Sequence, residues 1–180
     1  MADLEIQFIP HADLTPELQR EFDSLDRLAF GEMIFEEDHE FFGIQWASPD
    51  WMALGFLQGQ LVTQLCIPKR EIMVGSEKIL VAGLGGMATH PKFQHQGLGT
   101  ELLAATELFM RDTIQVPFGL LICAEDVRLF YEQACWQVAA NFLYFRQDQQ
   151  RRGLNTCVMT LRLTDRLWPA GDIDLCGPPW

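Results

Sequence analysis

The sequence predicts an α/β domain with a mixed, mostly antiparallel central sheet and flanking helices. Three observations carry that reading. First, Trp51–Leu57, the tight turn Gln58-Gly59-Gln60 and the run 61–70 read as a hairpin. Second, the long apolar run 79–89 enters a glycine-containing turn, after which Leu98, Leu102, Ala105, Leu108 and Phe109 recur at helical spacing. Third, 180 residues that are 48% hydrophobic and 21% charged suit one domain with a sizeable core.

In chain order, residues 5–9 alternate and form a first strand. Thr15 is a plausible N-cap with Pro16 at the first helical position and Glu17 in the first turn. Leu18, Phe22, Leu25 and Leu28 then make one apolar face of a helix running to about Phe30, and Gly31 ends it. Segment 32–42 mixes carboxylates with large apolar groups and predicts a second short helix over the open side of the sheet. Residues 74–78 form the turn into the long strand. A buried strand follows at 118–123, a helix at 126–134, and strands at 138–146 and 156–163. Their connection, 147–155, carries Arg151-Arg152-Gly153 and reads as exposed. The tail, 164–180, is too apolar for a disordered terminus and too rich in Pro and Gly for a helix, so it is expected to dock on the body of the domain.

The net charge of −12 makes nucleic acid and anionic membrane poor partners and steers cations inward. Simple solubility explains such a surface equally well. No apolar run reaches bilayer-spanning length and no basic-then-apolar signal opens the chain, which implies the cytoplasm. The five cysteines lack paired C-x-x-C spacing and read as reduced thiols; the four histidines are too scattered to hold a metal.

The most informative stretch is Gln94-His95-Gln96-Gly97-Leu98-Gly99-Thr100. Glycines at the head of a helix let ligand atoms approach unpaired backbone N–H groups, and those donors with the helix dipole suit a pyrophosphate. The polar run before Gly97 can add amide and imidazole donors. A competing pattern, Gly83-Leu84-Gly85-Gly86-Met87-Ala88, fits the dinucleotide fingerprint G-x-G-x-x-A. That fingerprint must open a helix, yet Pro91 follows at once and pushes His90 towards extended geometry. The glycines fit a bulged strand better.

The run Thr89-His90-Pro91-Lys92-Phe93-Gln94-His95-Gln96-Gly97-Leu98-Gly99 resembles the acetyl-CoA-binding motif of the GNAT (GCN5-related) N-acetyltransferase superfamily. Phe130-Tyr131-Glu132-Gln133-Ala134-Cys135-Trp136 resembles a second signature of the same superfamily. The resemblance implies a GNAT fold in which strand 118–123 lies beside strand 79–89 and then splays away. It implies acetyl-CoA as cosubstrate, without a metal. Met87, Ala88, Thr89, Gln94, His95, Gln96, Gly97, Leu98, Gly99 and Thr100 would hold the cosubstrate, and Tyr131 would act as general acid on the departing thiolate. An alternative role for Tyr131 is core packing. Cys123 or Cys135 is conceivable as an acyl carrier, though both sit on apolar elements.

Within the superfamily the chain is most similar to the aminoglycoside 2'-N-acetyltransferases, through Phe30-Gly31-Glu32, Asp126 to Tyr131, and Gly171-Asp172 with Trp180. That likeness implies antibiotic resistance as a role and a cationic small-molecule amine as acceptor. Its ammonium groups would be received by Glu32, Glu36, Glu37 and Asp38, and by Asp172, Asp174 and Trp180 with its carboxylate on the tail. Either the tail lines the acceptor cleft or its tryptophans plug an apolar gap. Where those enzymes place a glutamate for base work, this chain has Gly85, and Ala124 replaces a frequent asparagine. A protein or another metabolite amine is the alternative acceptor, a non-catalytic acyl-CoA-binding module the alternative class, and a homodimer is compatible with either.

Overall fold

Alternating apolar residues and tight turns build an eleven-stranded sheet, seen in a computed structural model that describes residues 3–31 and 43–180. Strand β1 (Glu5–Pro10) is followed by helix α1 (Pro16–Phe30), where Thr15 Oγ1 accepts from Leu18 N at 3.2 Å and Gly31, at φ 60°, ends the helix. The helix expected over 32–42 lies outside the described residues.

Strand β2 (Trp51–Leu57) pairs antiparallel with β3 (Gln60–Ile67), and β3 and β4 (Lys69–Val74) both pair antiparallel with the long β5 (Glu77–Thr89). The single strand expected at 61–70 is thus two. Pro68 lacks a backbone donor and divides them, while its carbonyl accepts from Gly83 N at 2.7 Å. Helix α2 (Leu98–Phe109) leaves the glycine turn, and β6 (Phe118–Cys123) returns parallel to β5. Helix α3 is only Arg128–Glu132, entered through a 3₁₀ turn at Glu125–Val127, so it is shorter than the sequence predicts.

The strand expected at 138–146 is likewise split, into β7 (Gln137–Val138) and β8 (Leu143–Gln147). The expected loop 147–155 contains β9 (Gln150–Leu154). Asp148 and Gln149, both at positive φ, make a two-residue turn whose twist suits a hairpin. Strand β10 (Cys157–Arg162) pairs with β6, and β11 (Ile173–Asp174) slots between β4 and β8. The sheet order is β1-β2-β3-β5-β4-β11-β8-β9, with β6, β10 and β7 on the other edge of β5.

Each face of the sheet is buried. Beneath α2 and α3 lie Ala82, Leu84, Leu102, Leu103, Met110, Leu121, Tyr131 and Trp136. On the opposite face, Leu25 of α1 packs on Met52, Leu54, Phe56 and Ala88, while Leu175 and Trp180 of the tail pack on Val81, Leu120 and Phe145. No described helix is long and apolar enough to cross a membrane.

Candidate active site

The site is set by where two parallel strands part. β5 and β6 stay in register from Val81↔Phe118 to Leu84↔Leu121. Beyond Leu84, β5 turns to β3, with Gly85 opposite Cys66 and Ala88 opposite Gln64, while β6 follows β10 as far as Cys123↔Cys157. A bulge between those two β3 contacts, where Gly86 sits at φ 57°, gives β5 the extra residue that bends it away. The free edge of residues 85–89 therefore faces an opening between the strands. This run is strand throughout, which excludes the dinucleotide fingerprint.

At the end of β5 the chain passes a 3₁₀ turn at Pro91–Phe93 and reaches the head of α2. Gly97 is the N-cap at φ 83°, and its carbonyl accepts from Glu101 N at 2.9 Å. Leu98, Gly99 and Thr100 therefore present N–H groups with no partner inside the helix. A β-carbon on Gly97 would meet nothing within 4 Å, so the space before this helix is open. Gly99 is tighter: a β-carbon there would stand 3.2 Å from Thr89 Oγ1 and 3.4 Å from Met87 Cε. The glutamine amides shape the turn itself, Gln94 Nε2 donating to Thr89 O at 3.1 Å and Gln96 Nε2 to Lys92 O at 3.4 Å. His95 takes a left-handed conformation at φ 61°. These residues fit a pyrophosphate carried by main-chain donors, with the side chains of 94 and 96 as scaffolding.

Tyr131 lies on the α3 side of the opening. Its hydroxyl donates to Met87 Sδ at 3.7 Å, which ties it to the free half of β5. Phe130 and Trp136 pack edge-on against its ring. Burial, and secondarily Cys123, push the phenol above its ordinary value, so it remains protonated across the neutral range. The Cys123 thiol is itself pushed up to about 12, first by burial and then by Cys157, which keeps it a poor nucleophile. Cys135 is exposed, at φ 65°.

The expected acceptor residues fall into three groups. Glu32, Glu36, Glu37 and Asp38 lie outside the described residues. Asp172 is exposed and accepts from Gly75 N through its carbonyl, at 2.9 Å. Asp174 is engaged: burial works against its charge, but Cys176 N–H, Arg151 and Arg146 outweigh that and hold its carboxyl below the usual range. Trp180 is only 5% exposed and lies over β5 beside the parting strands. A β-carbon on Gly83 would overlap its indole, and one on Gly85 would stand 2.8 Å from its main-chain carbonyl carbon. The position without a glutamate is thus covered by the tail.

Two contributors were missed by the sequence reading. Arg70 clamps the tail, donating to Pro178 O at 2.6 Å and lying 5.2 Å above the Trp180 ring. Gln64, fully buried, bonds Phe22 O of α1 through Nε2 at 3.2 Å while its Oε1 lacks a partner among the described residues. Glutamine within a hydrophobic strand was the available signal for the second; nothing marked the first. Among the described residues no group of His, Cys, Asp and Glu could hold a metal.

The fold, a mixed sheet whose two central strands part beside the head of α2, is shared with solved structures of GNAT acetyltransferases. Solved structures agree on the fold. YhbS of Escherichia coli, a GNAT family N-acetyltransferase in complex with CoA, superposes at TM-score 0.68 with 16% identity over 98% of this chain and 91% of that one. A GNAT family acetyltransferase of Brucella melitensis in complex with acetyl-CoA gives 0.61 and 13% over 94% of each. Escherichia coli ElaA gives 0.63 and 14% over 88% of this chain and 99% of that one. By sequence, the family model for nodulation protein A (NodA) matches residues 3–174, and the chain belongs to that family. No curated protein matches it.

Proposed function

We propose that the chain is an acetyl-CoA-dependent N-acetyltransferase whose acceptor is a primary amine on a cationic small molecule, with an aminoglycoside as the first candidate. The observation that carries the reaction class is the Tyr131 hydroxyl on Met87 at the strand opening, next to the helix-head cradle. Acetyl-CoA supplies an activated thioester. The N–H groups of Leu98, Gly99 and Thr100 receive its pyrophosphate. The free edge of Met87–Thr89 pairs with the pantetheine amides as an added strand and orients the thioester carbonyl. The protonated phenol of Tyr131 gives its proton to the departing thiolate as the acceptor nitrogen attacks. The attacking amine must itself be neutral, so a proton leaves the acceptor before the carbon–nitrogen bond forms.

The aminoglycoside rests on narrower ground: the net charge of −12 and the likeness of the tail. The matched family is a different one. Thiol release from acetyl-CoA against kanamycin, spermidine and a lysine peptide separates the acceptor classes. Activity confined to the peptide would reject the small-molecule acceptor. If cationic acceptors are held by exposed carboxylates, their KM rises with salt while that for acetyl-CoA changes less, because such pairs are screened beyond ~8–10 Å.

A further inference from the structure

Gly85 has no side chain to meet an incoming amine, yet the adjoining corner between α1 and β3 holds an unmatched set of oxygen acceptors. Gln64 and Cys66, two residues apart on β3, point to the same face, towards α1. Gln64 is fully buried; its Nε2 is spent on Phe22 O at 3.2 Å and its Oε1 has no partner among the described residues. Phe22 and Asp26 are one turn apart on α1, so this amide rests against the turn that carries Asp26. Asp26 is half-buried and makes no ion pair or hydrogen bond with any described residue. Its charged neighbour on the helix is Asp23, whose carboxylate already accepts from Gln19 Nε2 at 2.8 Å.

The corner faces the bend of β5. Cys66 Sγ lies 3.6 Å from where a β-carbon of Gly86 would be, so this end of the corner reaches the residue just before Met87. Burial first, and Asp23 second, hold the Asp26 carboxyl above its ordinary value; burial and then Asp26 push the Cys66 thiol up to about 12. The Asp26 shift is that of a partly buried carboxylate with a second carboxylate near it, and the Cys66 shift places that thiol near Asp26. A carboxylate and an amide oxygen are acceptors only, and what completes them is a group made of donors with positive charge.

We propose that Asp26, together with Gln64 Oε1, receives the primary ammonium group of the acceptor, making the α1–β3 corner over Gly86 the amine end of the acceptor site. This rests on the acetyltransferase reading. Asp26 acts as a binding and positioning residue for the charged acceptor, whose ammonium gives up a proton to water before its nitrogen attacks the thioester.

Calorimetric titration of the CoA-loaded protein with spermidine and with kanamycin tests it. Asp26→Asn keeps the shape and removes the charge. It is expected to weaken amine binding by about tenfold or more while leaving CoA affinity unchanged and the melting temperature unchanged or raised. Asp26→Glu is expected to restore part of the loss, and Gln64→Met to weaken the amine with a smaller effect. Equal amine binding by Asp26→Asn, or no binding of either probe by the wild type, overturns the proposal. So does an Asp26→Asn variant that loses CoA binding and melts lower, because Asp26 would then be structural. If the wild type binds no CoA, the acetyltransferase reading falls. If CoA binds and amines drive thiol release while Asp26→Asn matches the wild-type amine KM, only this assignment falls.

Discussion

The indole of Trp180 occupies the space that a side chain on Gly83 would fill, and its Nε1 donates to Leu120 O at 3.1 Å. A tail residue and a strand glycine are therefore two halves of one packing solution. Gly83→Ala is expected to force the indole out and destabilise the fold by about 1–3 kcal/mol, the usual cost of overpacking. For a domain of this size each kcal/mol lowers the melting temperature by roughly 2–4 °C, which differential scanning calorimetry resolves. Trp180→Ala leaves a cavity instead and is expected to cost about 3–5 kcal/mol.

The same contact bears on the acceptor. Removing residues 177–180 takes away Trp180 and the carbonyl that Arg70 grips at 2.6 Å. Both lower stability and a raised acceptor KM are expected, with the KM for acetyl-CoA changed less. Lower stability with an untouched acceptor KM would reduce the tail to a plug.

Gly97 separates backbone strain from ligand contact, because it sits at φ 83° with open space where a side chain would begin. Gly97→Val is expected to cost about 1–2 kcal/mol through the left-handed conformation alone. Gly97→Asn tolerates that conformation, so its stability stays close to wild type while the added β-carbon intrudes on the cradle. A raised KM for acetyl-CoA in the stable Asn variant is the expected result. Normal CoA binding there would move the pyrophosphate elsewhere.

Tyr131→Phe retains the edge-on packing against Phe130 and Trp136 and removes the proton. A loss of ~10²–10⁴-fold in kcat with little change in melting temperature is expected where chemistry limits the rate. The folded phenol titrates above its ordinary value of 10.0 because of burial. The wild-type to Tyr131→Phe ratio of kcat is therefore expected to stay flat up to that pH. The linkage has one sign: the unfolded chain loses this proton first, so Tyr131's contribution to stability is full below pH 10.0 and declines above it.

Much of this site is written in local sequence, because its parts are local. A left-handed glycine at a helix head, a strand that ends before His90-Pro91, and a tyrosine next to Phe130 in a short helix each follow from neighbours in the chain. The bulge at Gly86 follows from its need for positive φ. What local pattern does not contain is long-range pairing. β11 is two residues long and enters the sheet only because β4 and β8 offer edges on both sides. Arg70 looks like any hairpin cation until the tail returns over it, 105 residues on, at Leu175. The division at Pro68 was available from the missing donor, and the β8–β9 hairpin from the short polar turn at Asp148-Gln149. The placement of the Phe22 carbonyl on Gln64 required α1 to cross the sheet at one particular height, which periodicity does not specify.

Thiol release from acetyl-CoA, measured with and without a panel of primary amines and paired with CoA binding by calorimetry, tests the central claim most directly. The expected result is CoA binding by the wild type, amine-dependent release of free thiol, and loss of that release in Tyr131→Phe with CoA binding kept. CoA binding without amine-dependent release would make the protein an acyl-CoA-binding module, and absence of CoA binding would contradict the cradle and the enzyme together.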